Sequence, residues 1–320
     1  MNRTLGPRNL GDILSETFAI YKSNFLRLIA IVAIVQVPVV VLSIIPNLLL
    51  PSYGGGPTET MANGFFSIVL GVASLVVSIL MAGAVIHAVS EQYFNQPVNI
   101  GRAYGFAWHR LGDMFWAGVL AYLAIVGILV AAAIISLIIS IAIGGEIYSG
   151  WMGGAMVYAG ILILIVTPPA LYLAITWIFM FQAALLEDCG PRAALSHSSA
   201  LVKRSWWRIL GIVLLLVIIV MAITIILYAP AIMGVVNEAA NEATTSFIPY
   251  AATEPMSWTM IAAMIGAVIG NIVCTPIFMI GITLLYFDLR VRKQGYSLDA
   301  LANELGLIST STDTAASPPE

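Results

Sequence analysis

Few side chains in this chain could do acid–base, nucleophilic or metal chemistry: three histidines, two cysteines and sixteen acids in 320 residues. The histidines are His87, His109 and His197; the cysteines are Cys189 and Cys274. A zinc hydrolase would place two imidazoles one helical turn apart beside a general base, as in His-Glu-x-x-His, and that motif is absent. No pair of His or Cys residues shows ligand spacing. Cys189 falls in a polar segment and Cys274 inside an apolar run, which argues against a disulfide and against a thiolate cage. Gly54-Gly55-Gly56 could approach a phosphate closely, but neither a lysine nor a strand-to-helix context follows, so it reads as a loop. No catalytic residue, cofactor or metal ligand is expected.

The elements that carry these residues are dictated by composition. Hydrophobic residues make up 60% of the chain and charged residues 9%, with a mean hydropathy of +0.99, against roughly 25% charged in a soluble domain. Uncharged runs cover 28–58, 60–90, 114–145, 147–186, 209–237 and 255–287, each longer than the roughly 20 residues that span a hydrocarbon core as a helix. Without the period-2 alternation of barrel strands, they must satisfy their backbone groups as helices. The expected spans lie near 25–50, 64–90, 114–143, 153–186, 207–230 and 257–287. The span interiors hold no acid or base, which disfavours a proton-coupled pump. Their polar residues, among them Gln36, Asn47, Thr167, Thr176, Gln182, Asn271, Thr275 and Thr283, suit interhelical hydrogen bonds. Thr167-Pro168-Pro169 and Thr275-Pro276 are expected to kink or break their helices.

Charge orients the spans. Arg3, Arg8, Lys22 and Arg27 precede the first span; Arg102 and Arg110 lie between the second and third; Arg192, Lys203, Arg204 and Arg208 between the fourth and fifth; Arg290, Arg292 and Lys293 follow the sixth. The other three loops carry only Glu59, Glu146, Glu238, Glu242 and Glu254. The positive-inside rule then predicts cytoplasmic N- and C-termini. No removable signal peptide is read at the N-terminus.

Before each odd-numbered span the pattern predicts an amphipathic surface helix. The first starts at Asn9, an N-cap with Asp12 three residues on, and runs through Leu10, Ile13, Leu14, Phe18 and Tyr21. The second starts at Asn99 and carries Ile100, Tyr104, Trp108 and Leu111; the third starts at Gly190-Pro191 and carries Ala194, Leu195, Leu201 and Val202. Each reaches Ala-x-x-cation followed by aromatics: Ala19, Lys22 and Phe25; Ala107, Arg110 and Phe115; Ala200, Lys203, Trp206 and Trp207. Even-numbered spans end in an acid and a turn, at Glu91, Glu187-Asp188 and Asp288. The expected fold is therefore all-α: a polytopic membrane protein with six transmembrane helices in three repeated hairpins, each preceded by a cytoplasmic amphipathic helix. The expected domain is 1–308, with repeats at 9–97, 98–189 and 190–296, a short surface helix over 297–305 and a disordered tail at 309–320.

The segments Leu186-Glu187-Asp188-Cys189-Gly190-Pro191-Arg192-Ala193-Ala194-Leu195-Ser196 and Leu285-Tyr286-Phe287-Asp288-Leu289-Arg290-Val291-Arg292 resemble the membrane domain associated with bacterial glycerophosphoryl diester phosphodiesterases and YciC-like inner-membrane proteins. The resemblance runs from about residue 10 to residue 305 and implies a bacterial inner-membrane scaffold. In phosphodiesterases of that name the chemistry sits in a soluble barrel of about 250 residues, for which this chain has no room. His109-Arg110 matches the start of their His-Arg-Gly motif, but Leu111 replaces the glycine and the acid-rich metal-binding segments are missing. His109 thus reads as an interfacial side chain.

Cations beside aromatics at headgroup depth suit an anionic lipid, each contributing about 1 kcal/mol near a charged leaflet; the candidate contacts are Lys22, Arg27, Arg110, Lys203, Arg204 and Arg208. The function expected is a non-catalytic integral inner-membrane protein that binds or organises lipid or another amphipathic molecule, with room for a membrane or cytoplasmic protein partner and none for nucleic acid. A transporter or channel for small amphipathic compounds or membrane-active peptides is the second reading.

Overall fold

A computed structural model describes residues 9–49, 57–94, 96–142, 151–187, 189–242 and 258–294. Gly54 to Gly56, the surface helix expected over 297–305 and the tail at 309–320 lie outside the described residues. All regular structure among the described residues is helical: α1 Leu10–Ser23, α2 Phe25–Leu49, α3 Pro57–Tyr93, α4 Ile100–His109, α5 Leu111–Ala142, α6 Trp151–Thr176, α7 Met180–Leu186, α8 Pro191–Val202, α9 Trp206–Glu242 and α10 Trp258–Gln294. Short α1, α4 and α8 occupy the places expected for surface helices, and their caps are those expected. The Asn9 N–H donates to the Asp12 carboxylate at 2.9 Å, the Arg102 N–H donates to Asn99 Oδ1 at 3.2 Å, and Pro191 opens α8 behind Gly190.

Among the described residues, six helical stretches are long and apolar enough to cross a membrane: Phe25–Leu42, Gly64–Tyr93, Leu111–Ile139, Ala159–Leu186, Trp206–Ala229 and Ile265–Lys293. Their outward faces are apolar too, with Leu164 75% and Ile226 71% exposed. In water such surfaces would associate; hydrocarbon is the solvent they match. The chain is a multi-pass membrane protein.

Several boundaries differ from the expected ones. Helix α10 runs seven residues past 287, where Arg292 Nε donates to both Asp288 carboxylate oxygens, at 3.1 and 2.9 Å, one turn away. That i,i+4 pair favours the additional turns, so Arg290, Arg292 and Lys293 belong to the helix rather than to a segment after it. Helices α3 and α9 likewise take in Glu59, Glu238 and Glu242, which were expected in loops. Pro168 and Pro169 lie within a continuous α6, and Pro276 within a continuous α10, so neither proline site breaks its helix. The fourth span breaks later, between Thr176 and Met180.

The described residues divide into two compact units, Met1–His109 with Ile212–Glu320, and Arg110–Gly211. In the first, α10 packs on α1, α2 and α3, and α4 packs on α3. Accordingly, more than half of the apolar stretch of α10 is buried. Gly266 and Gly270, four residues apart on α10, face Leu227 and Tyr228 of α9; a Cβ on Gly266 would stand 3.2 Å from the Leu227 carbonyl oxygen. Small residues at this spacing let two helix backbones approach. In the second unit, α5 packs on α6, α7 and α8, and α7 packs on α8.

Helix α8 buries Ala194, Leu201 and Val202 of its expected face, whereas α1 and α4 bury residues mostly different from the expected ones. Helix α1 buries Ile13, Thr17 and Ile20, and α4 buries Ala103 and Ala107, whereas Leu10, Phe18 and Trp108 are exposed. Small or β-branched residues fit the close contact with the long helices, and the bulky apolar ones remain outside. The signature alanines do not share an environment: Ala107 is buried, while Ala19 and Ala200 are exposed.

Candidate functional site

Each short helix sends one hydroxyl into the backbone of a long one. In the first unit, the Tyr21 hydroxyl donates to the Val273 carbonyl at 3.1 Å. That carbonyl lies one turn before Pro276, which has no N–H and crowds the preceding turn. The Tyr104 hydroxyl donates to the Ile31 carbonyl of α2. Burial holds both phenols neutral, pushing each up to about 12.

Tyr104 also lines an apolar groove between α2 and α3, about 360 Å³ in volume. Ile34, Pro38 and Leu42 form one wall, and Leu70, Ala73 and Val77 the other. The groove opens beside Ile34 and Leu42, which are exposed.

Below it, α3 ends on a carboxylate that is completely buried. Glu91 Oε2 accepts the Asn99 N–H at 3.2 Å, and Glu91 Oε1 lies 3.3 Å from Arg102 Nε and 3.9 Å from His87 Nδ1. Glu91 thus ties the end of α3 to the start of α4, with the His87 ring 4.5 Å from that of Phe106. The acid expected at the end of the second span is there, and its burial is tolerated because its ion partner and a backbone donor come with it. His109 is exposed, its Nδ1 2.7 Å from the Gly105 carbonyl oxygen.

In the second unit, the break between α6 and α7 is filled by a side chain. Ser198 of α8 donates to the Thr176 carbonyl at 2.8 Å and accepts the Phe179 N–H at 3.2 Å, occupying the place of a ladder bond. Thr167 and Thr176 donate to the Ile163 and Tyr172 carbonyls of their own helix, each at 2.7 Å, and in the first unit Thr275 donates to Asn271 of its own helix. These bonds are intrahelical, where interhelical ones were expected, because a carbonyl one turn back is within reach of each hydroxyl.

Beyond α7 the Glu187 carboxylate meets the imidazole of His197 on α8, and Cys189 Sγ donates to the Ala183 carbonyl at 3.4 Å. Burial, then the Glu187 carboxylate, pushes the Cys189 thiol up. Both cysteines are free. Residue spacing did not reveal this grouping, since a helix terminus and a turn separate its members.

The six candidate cations all lie at short-to-long helix junctions. Lys22 is in the last turn of α1 and Arg27 in the first turn of α2, both exposed. In the second unit, Arg110 lies between α4 and α5, Lys203 and Arg204 in the turn after α8, and Arg208 in the first turn of α9. Lys203 and Arg204 are exposed; Arg110 and Arg208 are half-buried. Arg204 has a φ of 70°, a conformation that costs an L-residue roughly 1–2 kcal/mol. The aromatics beside the cations point outward or stack: Trp207 is 79% exposed, and the ring of Trp206 stacks on Tyr172 at 6.2 Å. Lys22 suits the negative end of α1, whereas Arg27 sits at the positive end of α2, where the helix dipole disfavours it.

No family model, curated protein or solved structure matches this chain.

Proposed function

We propose that this protein is a non-catalytic bacterial inner-membrane protein that binds lipid through an apolar groove and organises anionic headgroups at its basic rim. The observation that carries the reading is the groove between α2 and α3, which opens beside exposed Ile34 and Leu42 on a helix that faces hydrocarbon. Its volume falls within the range of ligand pockets, roughly 300–1,000 Å³, and its lining suits an acyl chain. A lateral opening favours lipid over a transported solute.

The rim supports the headgroup half of the reading. An anionic phosphate offsets the unfavourable placement of Arg27, and exposed Phe18, Trp108 and Trp207 belong at headgroup depth. The cations share the face assigned as cytoplasmic by the positive-inside rule, with both termini on it. The resemblance to phosphodiesterase-associated and YciC-like membrane domains, and the order of one short and two long helices met three times, support a three-hairpin scaffold that works with a partner protein.

Native mass spectrometry of the purified chain tests both halves. Ala73→Phe, which fills the groove, is expected to lower total lipid occupancy. Lys22→Gln, Lys203→Gln, Arg204→Gln together are expected to lower the anionic share while leaving the total. If correctly inserted variants retain the lipid of the parent, the reading fails.

A further inference from the structure

In the second unit, one carboxylate oxygen of Glu187, Sγ of Cys189 and one ring nitrogen of His197 all lie within 4.8 Å of one another. The three come from different local frames. Glu187 caps the C-terminus of α7, Cys189 lies in the connecting turn, and His197 is in the second turn of α8. We propose that they form a binding site for one divalent transition-metal ion of the Zn²⁺ class, which clamps α8 onto the end of α7.

The donor set selects that class of ion. One thiolate, one imidazole and one carboxylate suit Zn²⁺, whereas Mg²⁺ and Ca²⁺ require oxygen donors. Ligand atoms around a tetrahedral zinc, at bond lengths of about 2.0–2.3 Å, lie roughly 3.3–3.8 Å apart. Side-chain rotation closes the difference, because the His197 side chain is 48% exposed and has room to move.

The scaffold beneath the site is rigid. Ser198, the residue after His197, is fully buried and held by two hydrogen bonds across the α6–α7 break. The His197–Glu187 contact already brings nitrogen and oxygen to one point. On binding, the thiol proton of Cys189 leaves to solvent and the sulfur becomes a thiolate ligand, the proton between His197 Nδ1 and the Glu187 carboxylate leaves to the outer ring nitrogen or to solvent, and a water takes the fourth position.

The test uses the full chain in detergent micelles, reduced with a phosphine. Zn²⁺ is titrated against a chromophoric chelator, and Co²⁺ serves as a spectroscopic probe. The parent is expected to bind one Zn²⁺ per chain, and its Co²⁺ form to show a sulfur-to-metal charge-transfer band with tetrahedral d–d absorption. Cys189→Ser should abolish the charge-transfer band; Glu187→Gln and His197→Gln should each weaken Zn²⁺ binding more than about tenfold. Cys274→Ser should leave both readouts unchanged. Helicity and a monodisperse elution profile establish that each variant is folded, and the exposed His197→Gln decides the matter if Cys189→Ser does not fold. Absence of stoichiometric binding in the folded parent, or parental affinity in folded His197→Gln, would overturn the proposal.

Discussion

Removing the Ser198 hydroxyl takes away both the acceptor for the Phe179 N–H and the donor to the Thr176 carbonyl, at a position shielded from water. Ser198→Ala is therefore expected to destabilise the chain by about 2 kcal/mol, the cost of stranding buried polar groups. Steric-trap unfolding in detergent measures it, and a loss near zero would show that the backbone closes the gap unaided. Tyr104 makes one such bond, and Tyr104→Phe is expected to cost about 1 kcal/mol. The pH dependence has a definite sign. The folded phenol is raised from 10.0 to about 12, so its neutral form favours folding. That contribution is fully present below pH 10.0 and is lost as pH rises toward about 12. The stability gap between parent and Tyr104→Phe should shrink over that interval; a gap that widens with pH would contradict the assignment.

At the scale of elements, a tight side-chain contact between α9 and α10 tests how closely the long helices are packed. A Cβ on Gly281 of α10 would stand 2.6 Å from Cδ1 and 2.8 Å from Cδ2 of Leu216 on α9, whose side chain is fully buried. Gly281→Ala is expected to cost about 1–3 kcal/mol through overpacking. Adding Leu216→Val should make the double variant less destabilised than the sum of the two, a coupling that a double-mutant cycle reads directly. Additive costs would mean that the two helices separate freely at this contact. The caps of α1, α4 and α8 were legible in sequence because Asn, Asp and Gly-Pro act on their own first turns. The buried face of α8 was legible through Ala194, Leu201 and Val202; that of α1 was not, because Ile13, Thr17 and Ile20 are chosen by the helices that α1 meets rather than by hydrophobicity alone.

For the molecule as a whole, the charge map predicts a topology that labelling can check. In a chain carrying Cys189→Ser and Cys274→Ser, cysteines at Ser52, outside the described residues, and at Asn241 should react with an impermeant maleimide in sealed cells. A cysteine at Gln294 should react only after permeabilisation; labelling there in sealed cells would refute cytoplasmic termini. Six long apolar helices and three short ones ahead of the odd spans were determined by the sequence alone, since apolar length and local capping act over neighbouring residues. Tertiary structure decided what depends on distant partners. It placed the fourth-span break between Thr176 and Met180, where Ser198 fills it, rather than at Pro168-Pro169, buried Glu91 beside Arg102, opened the groove between α2 and α3, and gathered Glu187, Cys189 and His197. Each of these requires two or more elements to meet, and periodicity within a single helix carries no information about which neighbour it will touch.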